Sequence, residues 1–157
     1  MEQYLVDFDG VILDSQDRFV EAMGDNSDLY DWMDYLSSIE WHRFLRECNE
    51  IDESLSTLGK LQQYRKLKGI ITAIHSLEEG KEKLIYLREN GIVVPVFYVL
   101  PEQKKSDIYI PEKGIVLVDD KVRNCRDWRR DKGKALEFDP HYEGDSKEKI
   151  KSLKQLL

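Results

Sequence analysis

The sequence contains only two cysteines, Cys48 and Cys125, which lie far apart and in no recognisable motif. This scarcity excludes a disulfide framework and a cysteine-rich zinc site, and it favours a reducing compartment. Long apolar runs are also missing. The longest, residues 92–100, has nine residues and contains Pro95, whereas a membrane helix needs about 20. Because the N-terminus enters a strand pattern without a basic stretch, we expect a cytoplasmic protein with no membrane partner.

An excess of positive charge is missing as well. The chain has 24 basic and 31 acidic side chains and a net charge of −7. It therefore lacks the basic surface that a DNA or RNA backbone requires, and we expect no nucleic-acid partner. The charge is uneven, since residues 14–60 hold 12 acidic and four basic side chains, a net charge of −8, and the rest of the chain carries +1. The length of 157 residues allows one compact domain with a small insertion.

Short apolar runs rich in Val and Ile alternate with helical patterns along the chain. The runs predict five strands, at residues 4–8, 69–74, 92–100, 114–118 and 135–138. They largely lack alternation of apolar and polar residues, which is typical of strands that are buried on both faces of a parallel sheet. The sequence therefore predicts an α/β fold: a three-layer, Rossmann-like domain with a mostly parallel five-stranded sheet.

Residues 15–60 contain helical spacing and no strand pattern. Ser27 is the predicted N-cap of one of these helices. The aromatic residues of this stretch are interpreted as a small core of its own rather than as base-stacking platforms: Trp32, Trp41 and Phe44. We therefore expect a core domain of residues 1–14 and 61–157 that carries residues 15–60 as a small helical cap.

Two further helices are predicted in the second half of the chain. Ser76 and Glu79 match a capping box, so a helix is expected from there to Gly91. Its predicted buried face is formed by Leu77, Leu84, Ile85 and Leu87. The last helix is expected from about residue 146, with its apolar side formed by Ile150, Leu153 and Leu157.

Two acidic side chains follow the first predicted strand, Asp7 and Asp9, and a glycine comes next. Residues two apart in an extended chain share a face, and neighbouring carboxylates repel each other unless a cation or a proton lies between them. The pattern indicates a Mg²⁺ site with a carboxylate nucleophile beside an acid/base. The alternative is a pair of loop acids that cap the following helix.

A second buried strand also ends in a pair of acids, Asp119 and Asp120. One such pair alone is ordinary turn chemistry. Two pairs at the carboxyl ends of strands in a parallel sheet favour metal binding, because ligand crevices open at that edge.

With these motifs the sequence resembles the haloacid dehalogenase-like hydrolase superfamily. Residues 7–11 match its first motif, D-x-D-G-[TV], residues 70–72 match the second, and residues 119–120 match the acidic fourth motif in its DD form. The lysine of the third motif is Lys105, which precedes a helical turn, or its neighbour Lys104. The predicted helical insert looks like the small cap of this superfamily.

The resemblance implies a Mg²⁺-dependent phosphatase of a small phosphorylated substrate that works through an aspartyl-phosphate. Asp7 would attack phosphorus, and Asp9 would protonate the leaving oxygen and then activate water. Thr72 would hydrogen-bond the phosphoryl group, and Lys105 would neutralise a phosphoryl oxygen and orient Asp7. The implied Mg²⁺ ligands are Asp7, Asp9 through its backbone carbonyl, Asp119, and Asp120 through water or the surrounding shell.

The run that ends in Asp119, Asp120 and Lys121, with Asn124 shortly after, is similar to the cytosolic deoxyribonucleotidase branch, which points to a nucleoside monophosphate. The alternative is a non-catalytic phosphate-binding module, either of the same superfamily or like a receiver domain. Motif order argues against a receiver, which has its acidic pair at the first strand, its phospho-acceptor later in the chain, and no large insert after the first strand. His75 is interpreted as a partly exposed turn residue, with a place at the entrance of the site as the alternative, and His141 as a loop residue beyond the fifth predicted strand.

Overall fold

The protein folds around one parallel sheet, in a computed structural model that describes residues 1–24 and 28–157. Its strands are β1 Gln3–Val6, β2 Leu67–Ala73, β3 Val96–Val99, β4 Ile115–Asp119, β5 Lys134–Phe138 and β6 Lys149–Ile150. The strand order is β3-β2-β1-β4-β5-β6, and every pairing between neighbours is parallel. The strand β1 thus lies between β2 and β4.

Helices connect the strands. In chain order they are α1 Ser15–Met23, α2 Leu29–Ser38, α3 Trp41–Glu47, α4 Ser54–Gln63, α5 Leu77–Glu89, α6 Lys105–Ile108 and α7 Val122–Arg130, with a 3-10 helix at Leu153–Leu156. Within the described ranges, no helix combines the length and the apolar character needed to cross a membrane.

The sheet separates two hydrophobic clusters, because successive strand residues point to opposite faces. Val6 belongs to one cluster together with Leu58 of α4 and residues of α5, whereas Leu5 belongs to the other with Trp128 of α7. All three of these leucine and tryptophan side chains are at most 1% exposed. The helices therefore cover both faces of the sheet, and the predicted three-layer α/β fold is confirmed.

The prediction of a helix from about residue 146 was wrong. In place of a helix from residue 146, Ile150 pairs with Phe138 in the short sixth strand, and Ser152 then caps the 3-10 helix through a bond from Lys154 N to its hydroxyl. The sheet therefore has six strands rather than five. A two-residue strand with a lysine in it carries too little apolar pattern to be seen in a sequence.

The helices α1 to α4 lie between β1 and β2, where the helical insert was predicted. The predicted N-cap Ser27 lies outside the described residues, and Asp28 caps α2 by accepting from Asp31 N at 2.9 Å. The rings of Trp41 and Phe44 lie 5.5 Å apart, and Phe44 also stacks on a ring of α1. Trp41 belongs to the same hydrophobic cluster as Val6 of the sheet, so these aromatic residues do not form the separate core that was predicted. The division into a core domain and a separate cap stays a prediction.

The helix α5 exists as predicted, and Ser76 caps it by accepting from Glu79 N at 3.1 Å. Its inward face is different from the predicted one. Leu77 is 87% exposed, and of the predicted apolar face only Leu87 is fully buried. The other buried residues of this helix include three charged ones, Glu79, Glu82 and Lys83.

Candidate active site

The carboxyl ends of β1 and β4 bring two aspartates side by side. Val6 is paired with Val118 in the parallel register, and Asp7 N donates to Val118 O at 2.9 Å. Asp7, the next residue after β1, and Asp119, the last residue of β4, therefore lie at the same edge of the sheet. Both are buried, at 5% and 0% exposure.

The loop after β1 makes room for a third carboxylate. Gly10 has a φ of +81°, in the left-handed region that favours glycine. A Cβ at this position would lie 2.1 Å from Asp120 Oδ2. The positive φ and the lack of space for a Cβ together require glycine at position 10. Because there is no side chain here, Asp120 can pack directly against the loop after β1.

Oxygen atoms of Asp7, Asp119 and Asp120 come within 4.8 Å of one another. Asp120 Oδ1 is buried and has no hydrogen-bond partner in the part of the chain that the structure describes. A buried carboxylate oxygen without a partner is unfavourable, and Mg²⁺ prefers a few carboxylates together with water. The three side chains therefore fit a divalent cation. The carboxylate of Asp9, which was predicted as a ligand only through its backbone carbonyl, lies outside this group.

The crowding of these acids alters their proton affinity. Burial, followed by the charge of Asp119, raises the pKa of Asp7 to about 6 despite the opposing effect of Lys105. Burial, followed by the charges of Asp7 and Asp119, raises the pKa of Asp120 to about 9. Without a cation, the cluster therefore holds a proton at neutral pH.

A buried lysine lies between two of the acids. The helix α6 begins at Lys105, whose Nζ donates to Asp7 Oδ1 at 2.7 Å and to Asp119 Oδ2 at 2.6 Å. Burial lowers the pKa of this ammonium, but the charges of the two aspartates outweigh that effect and hold the pKa above its ordinary value. Lys104 is exposed and donates instead to Asp131 at 3.2 Å. Of the two candidate lysines, Lys105 is the one at the acidic cluster.

The start of α7 fixes the position of Asp119. Its Oδ1 accepts from Lys121 N at 2.9 Å, and its Oδ2 accepts from Asn124 Nδ2 at 3.0 Å. Together with the bond from Lys105, three hydrogen bonds therefore fix the carboxylate of Asp119.

Asp9 lies away from the cluster and lines a cavity. Ser15 Oγ donates to its Oδ1 at 2.6 Å, and Lys83 Nζ donates to its Oδ2 at 2.7 Å. Its side chain is 14% exposed. Both carboxylate oxygens are thus held by protein donors while the group remains open to the cavity.

Lys83 was missed by the sequence reasoning. It is fully buried in α5 and donates to Thr72 Oγ1 at 3.0 Å, which places Thr72 behind the wall of the cavity rather than on it. Burial lowers the pKa of Lys83, but the charges of Asp9 and Glu79 outweigh that effect and raise it. Glu79 and Lys83 are four residues apart and so share one face of α5, but this spacing alone does not indicate that the face is buried.

The two histidines differ in their surroundings. His75 is partly exposed and lines the cavity, and its Nδ1 lies 3.0 Å from Glu79 Oε1. His141 is exposed in the loop after β5, where its backbone N donates to Asp139 Oδ1 at 3.0 Å. Only His75 therefore belongs to the surroundings of the candidate site.

A cavity of about 310 Å³ opens at this edge of the sheet. Asp7, Asp9 and Lys105 contribute to its charged part. The side formed by α1 and α2 is mostly apolar and consists of Gln16, Phe19, Trp32 and Leu36. The start of α7 contributes the cationic side chains of Lys121 and Arg123. Concave sites with a few convergent polar groups and an apolar wall are typical of small-molecule binding.

No protein-family model matches the sequence, and no curated protein sequence matches it significantly. Solved structures do match. A hydrolase described as HAD, family IA, variant 3, from Entamoeba histolytica has a TM-score of 0.62 at 9% identity, covering 99% of this chain and 95% of that one. A putative β-phosphoglucomutase from Thermotoga maritima has a TM-score of 0.60 at 16% identity, with 99% and 96% covered.

A third match is the D,D-heptose 1,7-bisphosphate phosphatase of B. bronchiseptica, solved with magnesium and phosphate, at a TM-score of 0.57 and 14% identity, with 99% and 96% covered. Identities this low establish the fold alone, and the finer resemblance to deoxyribonucleotidases stays a hypothesis. Since each match spans nearly the full length of both chains, this protein has the fold of the haloacid dehalogenase-like hydrolases.

Proposed function

We propose that the protein is a Mg²⁺-dependent phosphatase that hydrolyses a small phosphorylated substrate through an aspartyl-phosphate on Asp7. The observation that carries this proposal is the ammonium of Lys105 between Asp7 and Asp119, next to a carboxylate cluster that fits a cation and beneath a cavity of ligand size. The fold supports the same class of reaction, since two of the matched structures are described as a hydrolase and a phosphatase.

Asp7, Asp119 and Asp120 would hold the Mg²⁺, with Asp9 contributing its backbone carbonyl. When bound, the ion supplies positive charge that screens phosphate from the carboxylates and stabilises the charge of the transition state. A phosphate dianion would otherwise be repelled by these acids. Lys105 supplies the fixed positive charge of the protein itself.

In the first half-reaction, a carboxylate oxygen of Asp7 attacks phosphorus. The new oxygen–phosphorus bond forms as the bond to the leaving oxygen breaks, and Asp9 gives its proton to that oxygen. In the second, Asp9 takes a proton from water, whose oxygen attacks phosphorus and releases Asp7 and inorganic phosphate. The bond from Lys105 to Oδ1 orients Asp7 for the first attack.

The walls of the cavity bear on the class of substrate. Phe19 and Trp32 offer an apolar, aromatic surface on one side, and Lys121 and Arg123 offer positive charge on the other. A nucleoside monophosphate has a planar apolar part and a phosphate, so it is the first substrate class to test. Trp32 is half-buried and lines the cavity, so it is available to a ligand in a way that the buried Trp41 is not.

The test is phosphate release by the purified protein over a panel of phosphorylated metabolites, with Mg²⁺ and with EDTA. We expect the wild type to release phosphate in the presence of Mg²⁺ and the Asp7→Asn variant to release none. The circular dichroism spectrum and the thermal unfolding of Asp7→Asn should be those of a folded protein. The control is Asp17→Asn, an exposed aspartate of α1, which should keep wild-type rates. Full activity in EDTA, or near wild-type activity of folded Asp7→Asn, would contradict the mechanism. Tight phosphate binding without turnover would favour the non-catalytic alternative.

A further inference from the structure

The second buried lysine of the site, Lys83, has no exposed surface and does not line the cavity. A lysine is rarely buried unless its charge is paired. Here the Nζ atom lies 2.7 Å from Asp9 Oδ2 and 2.7 Å from Glu79 Oε2. Glu79 is itself fully buried, and both its side chain and Lys83 stand on α5, one turn apart.

The hydrogen bonds of Lys83 match its donors. An ammonium has three N–H groups. Four oxygens lie within 3.2 Å of this one, and three of them accept a hydrogen bond: Asp9 Oδ2 at 2.7 Å, Thr72 Oγ1 at 3.0 Å and Ala73 O at 3.2 Å. The fourth, Glu79 Oε2, is in ion-pair contact at 2.7 Å and has no hydrogen-bond partner among the residues that the structure describes. The carbonyl of Ala73 belongs to the end of β2, and the ion pair with Glu79 ties the ammonium to α5. Lys83 therefore has a fixed position that is set by the sheet and by a helix.

This fixed ammonium orients the carboxylate of Asp9, and Thr72 helps to hold the ammonium in place. Asp9 is held at one oxygen by Ser15 and at the other by Lys83, so its carboxylate has a defined direction at the cavity wall. At Thr72 the bond from Lys83 occupies a lone pair of the hydroxyl oxygen. Its hydrogen must then point elsewhere, and the only acceptor that the structure describes for it is Ala73 O at the long distance of 3.4 Å.

We propose that Lys83 is a positioning residue that holds the carboxylate of Asp9 in its working orientation, with Glu79 and the buried Thr72 as its anchors. The proposal rests on the proposed phosphatase function. Lys83 acts through Asp9 and does not touch the substrate. Productive geometry of this kind is worth a large factor, since a displacement of about 1 Å can cost about 10²-fold in rate.

A purely structural role is the competing explanation, and a compensated pair of substitutions separates the two. Lys83→Met alone leaves Glu79 buried without its cation, so we expect it to unfold more easily. Lys83→Met combined with Glu79→Gln removes both charges of the buried pair and leaves Asp9, which is partly exposed, bonded to Ser15. We expect this double variant to melt within about 5 °C of the wild type, because replacing a buried ion pair by neutral groups is often close to neutral for stability.

The activity readout compares two esters of nearly the same shape, phenyl phosphate and p-nitrophenyl phosphate. Phenolate is the more basic leaving group and depends more on a general acid. With Asp9 misdirected, the double variant should lose about 10²-fold in kcat on phenyl phosphate and about 10-fold or less on p-nitrophenyl phosphate. Asp9→Asn should show the same preference. Lys81→Met, an exposed lysine on the same helix, should match the wild type on both esters.

The outcomes are distinct. Two results would overturn this inference for a double variant that is as stable as the wild type. One is that its kcat on both esters stays within about three-fold of the wild-type value, and the other is that its kcat falls by the same factor on both esters. In either case Lys83 does not position Asp9, while the proposed function stands. A wild type that with Mg²⁺ releases phosphate from neither ester and from no member of the metabolite panel, or a folded Asp7→Asn that hydrolyses both esters, overturns the proposed function and this inference with it.

Discussion

Replacing Asp120 by asparagine should remove a pH dependence from the stability of the metal-free protein. In the folded chain the pKa of Asp120 is raised from its ordinary value of 3.8 to about 9, by burial and by the charges of Asp7 and Asp119. Between these values the folded protein keeps a proton that the unfolded chain has already released. The free energy of unfolding must therefore fall as the pH rises through this window. Asparagine resembles the protonated carboxyl but does not titrate.

The size of the effect follows from the number of protons. A difference of one bound proton between the folded and unfolded states changes the free energy of unfolding by about 1.4 kcal/mol per pH unit. The pKa of Asp7 is raised only to about 6, so from about pH 6.5 to about pH 8 the proton on Asp120 dominates the cluster. Over that range, the wild type should lose about 2 kcal/mol relative to Asp120→Asn.

Urea unfolding in EDTA at several pH values measures this difference directly. Comparing the wild type with Asp120→Asn cancels the groups that titrate equally in both proteins, and Asp17→Asn, on the surface, should follow the wild type. Excess Mg²⁺ should weaken the pH dependence of the wild type, because a bound cation replaces the proton. If the curves of wild type and Asp120→Asn run parallel in EDTA, Asp120 does not carry the proton, and the electrostatic description of the cluster is wrong.

Two further predictions concern the positive charges of the site. Lys105→Ala should lower kcat by about 10²–10³-fold, because a preplaced cation stabilises the transition state more than the ground state, whereas the surface variant Lys104→Ala should stay within a few-fold. Steady-state kinetics on the best substrate of the panel decides this, and similar losses in both variants would refute the assignment. Ca²⁺ in place of Mg²⁺ should support little turnover, since it tolerates higher coordination numbers and draws Asp7 into bidentate ligation. Equal rates of phosphate release with the two ions would contradict the proposed use of Asp7.

The sheet was largely predictable because its strands are buried on both faces. A residue such as Leu117 at 0% exposure, next to Val116 at 1%, leaves no polar position to break the run. Unbroken short runs of this kind predict parallel strands. The strand β6 escaped prediction because its pairing to β5 involves only two residues, and that pairing is decided by tertiary contact rather than by local pattern.

The candidate site could also be predicted only in part. Asp7, Asp119 and Asp120 lie at or directly after the carboxyl ends of strands. The topology of a parallel sheet brings these ends together, so the meeting of the three side chains could be foreseen. The position of Lys83 could not be foreseen, because helical periodicity predicts that leucine side chains are buried and lysine side chains are exposed. The ring of acceptors that makes a buried lysine favourable comes from separate parts of the chain, and Glu79 was visible in the sequence only as a capping residue.

The two aspartates of the first motif face different cations, which supports the different roles proposed for them. Residues two apart were expected to share a face, but the chain turns after β1, and the two side chains diverge. Asp7 is buried against Lys105, where a fixed direction suits a nucleophile. Asp9 stands at the cavity between Ser15 and Lys83, where an acid/base must reach both the leaving oxygen and water. One short motif therefore supplies two environments because each acid has a lysine of its own, and it is this pairing that sets their chemistry apart.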